Sequence, residues 1–259
     1  MQINPHQLIP VLKILQITDL HIQANPTDTL YGLNTELCFR QVLKQAHTEH
    51  GPFDLIIISG DLTEAPNTKC YQRILQILQA YQTKTLCLPG NHDDFQMMQA
   101  ILNDGLISCD KHLQLQSWQI ICLNSQKPDS TVGELSLSEL AFLEAQLTTH
   151  PNTPTLIILH HHCLNSDSLW LDTMLVTNSD ALLKLINRHE QVKAISFGHL
   201  HQEINASHLG IGIYATPATC YQFQPQAPKF SLENSPPGYR VFELSEDGGL
   251  QTNCYRISN

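Results

Sequence analysis

The chain has 259 residues, 42% of them hydrophobic, which is enough for one large domain (1–259) with a substantial buried core. Fourteen Lys and Arg against 24 Asp and Glu give a formal net charge of −10. No basic run is present that could neutralise a series of phosphates, which argues against a polymeric nucleic-acid partner. The opening stretch MQINPHQLIPVLKILQITD lacks the basic, apolar and small-residue segments of a secretory signal, and no apolar run approaches the ~20 residues that span a bilayer. Eight cysteines form no C-x-x-C pair. The expectation is a cytoplasmic protein with no membrane partner, no disulfide framework and no zinc–thiolate cluster.

In chain order, short β-rich runs end abruptly in polar residues. KILQIT (13–18) stops before Asp19 and DLIIIS (54–59) before Gly60; between them, residues 34–49 place Cys38, Val42 and Ala46 at helical spacing. Residues 69–82 repeat that spacing with Tyr71, Ile74, Leu78 and Tyr81, and KTLCLP (84–89) then stops before Gly90. WQIICLNS (118–125) precedes a helix over 137–147 with Leu137, Leu140, Leu143 and Leu147. Ser136, with Glu139 three places on, predicts a capping box at its start. TLIIL (155–159) runs into His160, a helix over about 179–189 shows Leu182, Leu183 and Ile186 on one side, and AISF (194–197) stops before Gly198. The Pro-rich stretch 217–238 reads as an extended loop leading into a hairpin of YRVFEL and LQTNCYRI, joined through Glu246-Asp247-Gly248-Gly249. Continuous apolar strands are covered on both faces, and their alternation with helices predicts an α/β fold.

Chemistry-bearing residues recur directly behind five of these strands. Asp19-Leu20-His21, Gly60-Asp61, Gly90-Asn91-His92-Asp93, His160-His161-His162 and Gly198-His199-Leu200-His201 each follow an apolar run. Any one of them is ordinary turn chemistry. Together they put ligand-type side chains at the carboxyl ends of neighbouring strands, the edge where α/β sheets build their sites. In an extended chain residues i and i+2 point the same way, so Asp19 with His21, and His199 with His201, are expected to share a pocket. Oxygen and imidazole donors without thiolate suit Fe, Mn, Zn or Co. The donors are too many for one ion; two ions sharing Asp61 account for the number.

The order D-x-H, G-D, G-N-H-D, H, G-H-x-H, spanning residues 19 to 201, resembles the calcineurin-like metallophosphoesterase superfamily. The segments ILQITDLHI, FDLIIISGDL, LPGNHD, LHHHCL, FGHLHQE, ATPATCYQF and SPPGYR are similar to the bacterial class III 3′,5′-cyclic-AMP phosphodiesterases, the CpdA or Icc group. The resemblance implies a four-layer α/β/β/α sandwich with two mixed sheets and the active site at the strand carboxyl ends. It implies one metal on Asp19, His21 and His201, a second on Asn91, His161 and His199, and Asp61 as the bridge. The family ligand in the histidine run lies two residues before a proline, which selects His161; Cys163 stands where that proline would be, so His160 stays open as the alternative.

The resemblance further implies hydrolysis of 3′,5′-cyclic AMP to 5′-AMP by a hydroxide held between two divalent or mixed-valence ions, Fe or Mn first and Zn or Co next. His92 would face the scissile bond and stabilise or protonate the departing oxygen. The substrate contacts expected are His21, Asp61, Asn91, His92, His161 and His201. Asp93 and Asp94 are expected to orient His92 or cap the next helix, and His162, Trp170, Thr216 and Tyr221 are candidates for the base side. The same ligands would serve 2′,3′-cyclic nucleotides, other phosphodiesters or phosphomonoesters, and a non-catalytic scaffold of the same fold is the alternative of another class.

Overall fold

The computed structural model of the chain describes residues 11–258, so the reading of the N-terminal stretch falls partly outside the described residues. In chain order the elements are β1 (Val11–Ile17), α1 (Thr35–Glu49), β2 (Leu55–Ser59), α2 (Thr68–Gln79), β3 (Thr85–Leu88), α3 (Phe95–Leu102), β4 (Ile107–Ser108), β5 (His112–Leu115), β6 (Trp118–Cys122), α4 (Leu137–Thr149) and β7 (Thr155–Ile158). A 3-10 turn at Leu171–Met174 precedes α5 (Ser179–Ile186), β8 (Val192–Phe197), β9 (Ile204–His208), β10 (Ile211–Ala215), β11 (Gln222–Phe223), β12 (Leu232–Glu233), β13 (Gly238–Ser245) and β14 (Leu250–Arg256).

Two six-stranded mixed sheets carry the molecule. One has the order β14-β13-β1-β2-β3-β4 and the other β5-β6-β7-β8-β10-β9. The central strands β1, β2 and β3 run parallel, as do β6, β7, β8 and β10, and antiparallel strands close the edges at β13 and β14, β5 and β9. Leu12, Ile14, Ile57, Trp118, Ile120, Ile158 and Phe242 fill the space between the sheets. On the outer face of the first sheet, Phe39 and Val42 of α1 and Tyr71, Ile74 and Leu78 of α2 pack on Ile17, Ile56 and Ile58; α4 and α5 cover the second with Leu143, Leu147, Leu182 and Ile186. The layering is therefore the expected α/β/β/α, because each apolar strand has one face toward the other sheet and one toward helices.

The helices differ in detail from their sequence reading. Asn34 caps α1 and Ser136 caps α4, but Leu137 is 85% exposed and takes no part in the buried stripe. Glu139 completes only half of the predicted box: Ser136 Oγ accepts from its N–H, while its carboxylate binds Asn124 N–H and Lys111 Nζ instead of turning back. α2 ends at Gln79, and Tyr81 packs on the core from the following turn. The Pro-rich stretch is not wholly loop, since β11 and β12 pair within it. The expected terminal hairpin is β13 with β14.

Beneath the strand ends a buried polar relay joins the sheets. Gln16 Nε2 donates to Ser59 Oγ at 2.8 Å, and Ser196 Oγ of the opposite sheet donates to Gln16 Oε1 at 2.6 Å. These groups are fully buried, so each depends on the others for its hydrogen bonds. Replacing Gln16 by Leu is expected to destabilise the fold by about 1–3 kcal/mol, because Ser196 loses its acceptor in a dry layer; urea unfolding of the two proteins measures the difference, and an unchanged midpoint would show the relay to be dispensable.

Candidate active site

The parallel pairing of β1 with β2 continues past the strand ends. Asp19 N–H donates to Gly60 O at 3.0 Å and His21 N–H to Asp61 O at 3.0 Å, so the D-x-H and G-D loops are laid side by side. In the other sheet Gly198 N–H donates to His160 O, which aligns the histidine run with G-H-x-H. The two halves meet face to face: both carboxylate oxygens of Asp19 accept from His199 N–H, at 3.0 and 3.2 Å. The glycines of the motifs permit this contact. A Cβ on Gly90 would collide with the Asp61 carboxylate, and one on Gly198 with Thr18 Oγ1 and Asp19.

The backbone achieves the convergence differently from the expected alternation of an extended chain. Asp19, His21, Asp61, His199 and His201 all have positive φ, between 46° and 63°. Left-handed conformations of non-glycine residues cost free energy and persist where the surroundings fix them. Asp19 and His21 still share a pocket, as do His199 and His201, but through tight left-handed turns rather than strand pleat.

All eight predicted metal and catalytic residues come together: Asp19, His21, Asp61, Asn91, His92, His161, His199 and His201. His21 Nδ1 binds Glu64 Oε2 at 2.7 Å and His201 Nδ1 binds Tyr221 O at 2.8 Å. A carboxylate and a carbonyl only accept, so both Nδ1 atoms carry protons and, in the neutral rings, both Nε2 atoms carry lone pairs. Those Nε2 atoms are 3.3 Å apart, and Asp19 Oδ1 is 3.3 Å from that of His201. On the other side His161 Nδ1 is bound by Ser125 Oγ at 2.8 Å, while His161 Nε2, His199 Nε2 and Asn91 Oδ1 are buried without a partner. Burial holds the imidazoles of His161 and His199 well below the usual histidine range, so both are neutral donors. Asp61 lies against the first group and His160, its Oδ2 at 3.8 Å from His21 Nε2 and 3.3 Å from His160 Nε2, while its Oδ1 accepts from His92 N–H. Lone pairs aimed at one another in a dry pocket are the donor set of a cation site, and Asp and His ligands fit two ions.

His160, the open alternative, stands in the same cluster, with a ring nitrogen within 4.8 Å of donors of His161 and His199 and again of Asp19 and Asp61. Its Nδ1 binds Ser59 O at 2.8 Å and its Nε2 lies 3.3 Å from Asp61 Oδ2. Burial opposes its charge, but Asp61 and Asp19 overcome that and lift its pKa to about 9, while His160 in turn helps to hold Asp61 well below the ordinary carboxylate range. His92 stands half-buried at the mouth with Nδ1 on Glu64 O at 2.8 Å. Cys220 also lies near His21 and His201, but burial first and Asp19 second push its thiol far up, so it remains a thiol donating to Asp19 O.

Several functional neighbours are absent from the sequence reading. Glu64 orients His21 and carries the carbonyl that holds His92; only its position three residues after Asp61 could have drawn notice. Asp94 caps α3 through Met97 N–H, as anticipated, but Asp93 does not orient His92. Its carboxylate accepts from Leu62, Thr63 and Gly90 N–H and from Tyr71 Oη, locking the G-D loop to the G-N-H-D loop. Of the base-side candidates, Trp170 and Tyr221 line a cavity of about 200 Å³ that also holds His21, Asp61, Asn91 and His92; His162 and Thr216 are fully buried and do not reach it.

The sequence profile described as calcineurin-like phosphoesterase matches residues 12–203. The chain belongs to this family. A calcineurin-like phosphoesterase of this fold carries a dinuclear divalent metal centre, and the donor set above fits one. Among its relatives, the 3′,5′-cyclic adenosine monophosphate phosphodiesterase CpdA of Haemophilus influenzae is 39% identical over 249 residues, covering 96% of this chain and 91% of its own. A 3′,5′-cyclic-nucleotide phosphodiesterase of Nostoc sp. is 37% identical, covering 95% and 92%. Solved structures share the fold at low identity. A dimetal phosphatase from Danio rerio superposes with a TM-score of 0.62 at 14% identity, covering 96% of this chain and 100% of its own, and yellow lupin purple acid phosphatase with 0.66 at 11%, covering 96% and 52%. No helix among the described residues is long and apolar enough to cross a membrane.

Asp93→Ala strands three buried N–H groups and a tyrosine hydroxyl at once. Unfolding is expected to become easier by at least ~3 kcal/mol, measured by urea titration; a loss under ~1 kcal/mol would mean that the loops are held by other contacts.

Proposed function

We propose that this calcineurin-like phosphoesterase is a metal-dependent phosphodiesterase that opens 3′,5′-cyclic AMP to 5′-AMP, with the whole chain acting as one phosphoesterase domain. The observation that carries the reading is the convergence of two donor groups, His21/His201/Asp19 and His161/His199/Asn91, with Asp61 beside the first and His92 at the mouth. The names borne by the Haemophilus and Nostoc relatives, matched over nearly their full lengths, support the substrate class. The eight free thiols fit a reducing, cytoplasmic setting.

In this reading Asp19, His21 and His201 hold one ion, Asn91, His161 and His199 the other, and Asp61 is shared. Iron and manganese suit these oxygen and nitrogen donors first, zinc and cobalt next. When bound, two such cations supply the charge that neutralises phosphate oxygens and makes a water acidic enough to attack phosphorus. The residues of the chain do the rest. Glu64 and the Tyr221 carbonyl fix the tautomers of His21 and His201, so that both rings turn their Nε2 lone pairs inward. His92 is aimed by two contacts, its N–H on Asp61 and its Nδ1 on the Glu64 carbonyl, and this leaves Nε2 to serve the departing 3′-oxygen. Burial opposes a charge on His92, but Asp61 and the Glu64 carbonyl raise its pKa and favour the imidazolium. As the P–O3′ bond breaks, the 3′-oxygen takes the Nε2 proton and the 5′-ester remains on phosphorus.

Supplied with Mn²⁺ or Fe²⁺, the purified protein is expected to convert 3′,5′-cyclic AMP into 5′-AMP and to stop when a chelator is added, as followed by ³¹P NMR. His92→Ala should keep its metal and slow by about 10²–10⁴-fold. Glu64→Ala should bind metal about 10- to 100-fold more weakly. Turnover of 2′,3′-cyclic nucleotides or phosphomonoesters with none of 3′,5′-cyclic AMP would overturn the substrate, and full activity in Asp61→Ala would overturn the shared-ion site.

A further inference from the structure

Beyond the metal donors, three separate segments deliver aromatic rings to one side of the same cavity, and none of these rings is needed to hold an ion. The first is a tight turn. Leu30 and Leu33 exchange backbone hydrogen bonds of 2.8 and 3.0 Å around Tyr31 and Gly32, both at positive φ (50° and 82°). A bulky residue at positive φ is an outlier, and the cross-turn bonds hold Tyr31 there. The second segment brings Trp170 in front of the 3-10 turn. The third is the β11–β12 ribbon, in which Phe223 pairs with Leu232 and the connecting loop folds Phe230 back over Phe223.

The rings form a continuous wall. Phe223 stacks on the imidazole of His201 with centroids 4.2 Å apart, and Tyr221 lies 5.5 Å from that of His21. Trp170 meets Phe223 edge-on at 4.9 Å and Phe230 at 5.5 Å, while Tyr31 meets Tyr221 edge-on at 4.8 Å. The inner rings are buried, but Tyr31 and Phe230 at the outer rim are 54% and 49% exposed. Tyr221 and Phe223 belong to the core of the second sheet and the half-buried Trp170 packs against it, whereas Tyr31 and Phe230 lie outside it. The indole N–H of Trp170 is buried and has no partner, which is uncommon for tryptophan and leaves a donor beside the wall.

Given the cyclic-nucleotide substrate proposed above, we infer that this wall, with Tyr31 and Phe230 as its rim and Trp170 as its donor, is the platform on which the nucleobase stacks. The cavity runs without a break from His21, Asn91 and His199 to Trp170 and Phe230, so a phosphate held by the metal donors leaves its base facing the rings. Flat π-faces with an indole N–H beside them suit a heteroaromatic base, and the wall carries no cationic side chain for a second phosphate. A second groove of about 830 Å³, which shares Asn91 and His92, is lined mostly by polar and charged groups such as Asp94, Gln96, Asn124, Gln126 and Lys127, with Phe95 as its one phenyl ring. Base–aromatic stacking tolerates any base, so the platform supplies affinity for the nucleoside rather than a fine choice among bases.

Two measurements test the platform. The first compares kcat/KM for 3′,5′-cyclic AMP with that for the 3′,5′-cyclic phosphate of methyl riboside, which has no base, using Mn²⁺-loaded protein. The base is expected to raise kcat/KM by about tenfold or more in the wild type, and this ratio should fall towards one in the Tyr31→Ala/Phe230→Ala variant. The second measures binding: 5′-AMP should quench tryptophan fluorescence, ribose 5-phosphate should not, and the quench should vanish in Trp170→Phe. A wild-type ratio near one, or a ratio untouched by the double substitution, overturns the platform, as does equal quenching by the two ligands. If cyclic AMP is not hydrolysed but 5′-AMP alone still quenches Trp170, the substrate reading falls and the stacking surface stands.

Discussion

Two imidazoles and a carboxylate face each other at 3.3 Å in a buried cluster, and in the neutral rings no proton lies between them. His21 and His201 have each spent their other nitrogen on an acceptor, Glu64 and the Tyr221 carbonyl, so neither can relieve the contact by changing tautomer. Lone pairs held this close are repulsive unless a positive charge joins them. Much of the architecture serves to create that situation. The parallel strand ends bring the loops into register, the Gln16–Ser59–Ser196 relay fixes the separation of the two sheets below them, and Asp93 clamps the G-D loop to the G-N-H-D loop.

The backbone is strained at the points where the donors stand. Five donor residues adopt left-handed φ, a conformation that costs on the order of 1–3 kcal/mol for each non-glycine residue. Glycines at 90 and 198 then allow the opposing loops to approach until carboxylate and backbone touch. Ordinary strand pleat would set the side chains of a D-x-H motif in an extended row, whereas the left-handed turns fold Asp19 and His21 inward to one point. A rigid site of this kind is preorganised: its donors are already in place, and little ordering entropy is left to be lost on binding.

The sequence made one level of this legible and hid another. Apolar runs ending in Asp, Asn and His marked the strand ends, and the order of the motifs, through the family they resemble, pointed to the candidate donors, because each motif is local in the chain. The left-handed backbone was not read, because Asp and His are enriched at positive φ only relative to a small base and occur far more often in ordinary turns. Short segments escaped for a related reason: α3 has eight residues and a weak stripe, and β9 alternates without a clear apolar face. Glu64, Ser125 and the Tyr221 carbonyl act through contacts across 43, 36 and 20 residues, which no single sequence displays. The aromatic wall was half visible: Trp170 and Tyr221 were candidates, but Tyr31 and Phe230 reach the cavity only through a turn and a ribbon that tertiary structure sets. His162 and Thr216, adjacent to strand ends as the candidate donors are, are fully buried and do not line the cavity.

Native mass spectrometry of the protein reconstituted with Mn²⁺ tests the facing-donor arrangement most directly. Two ions should be retained by each chain, falling to one or none when His201 is replaced by Ala, because that substitution removes one of the opposed nitrogens without touching the second group. Two ions held undiminished by His201→Ala, or a wild-type chain that retains none, would contradict the arrangement.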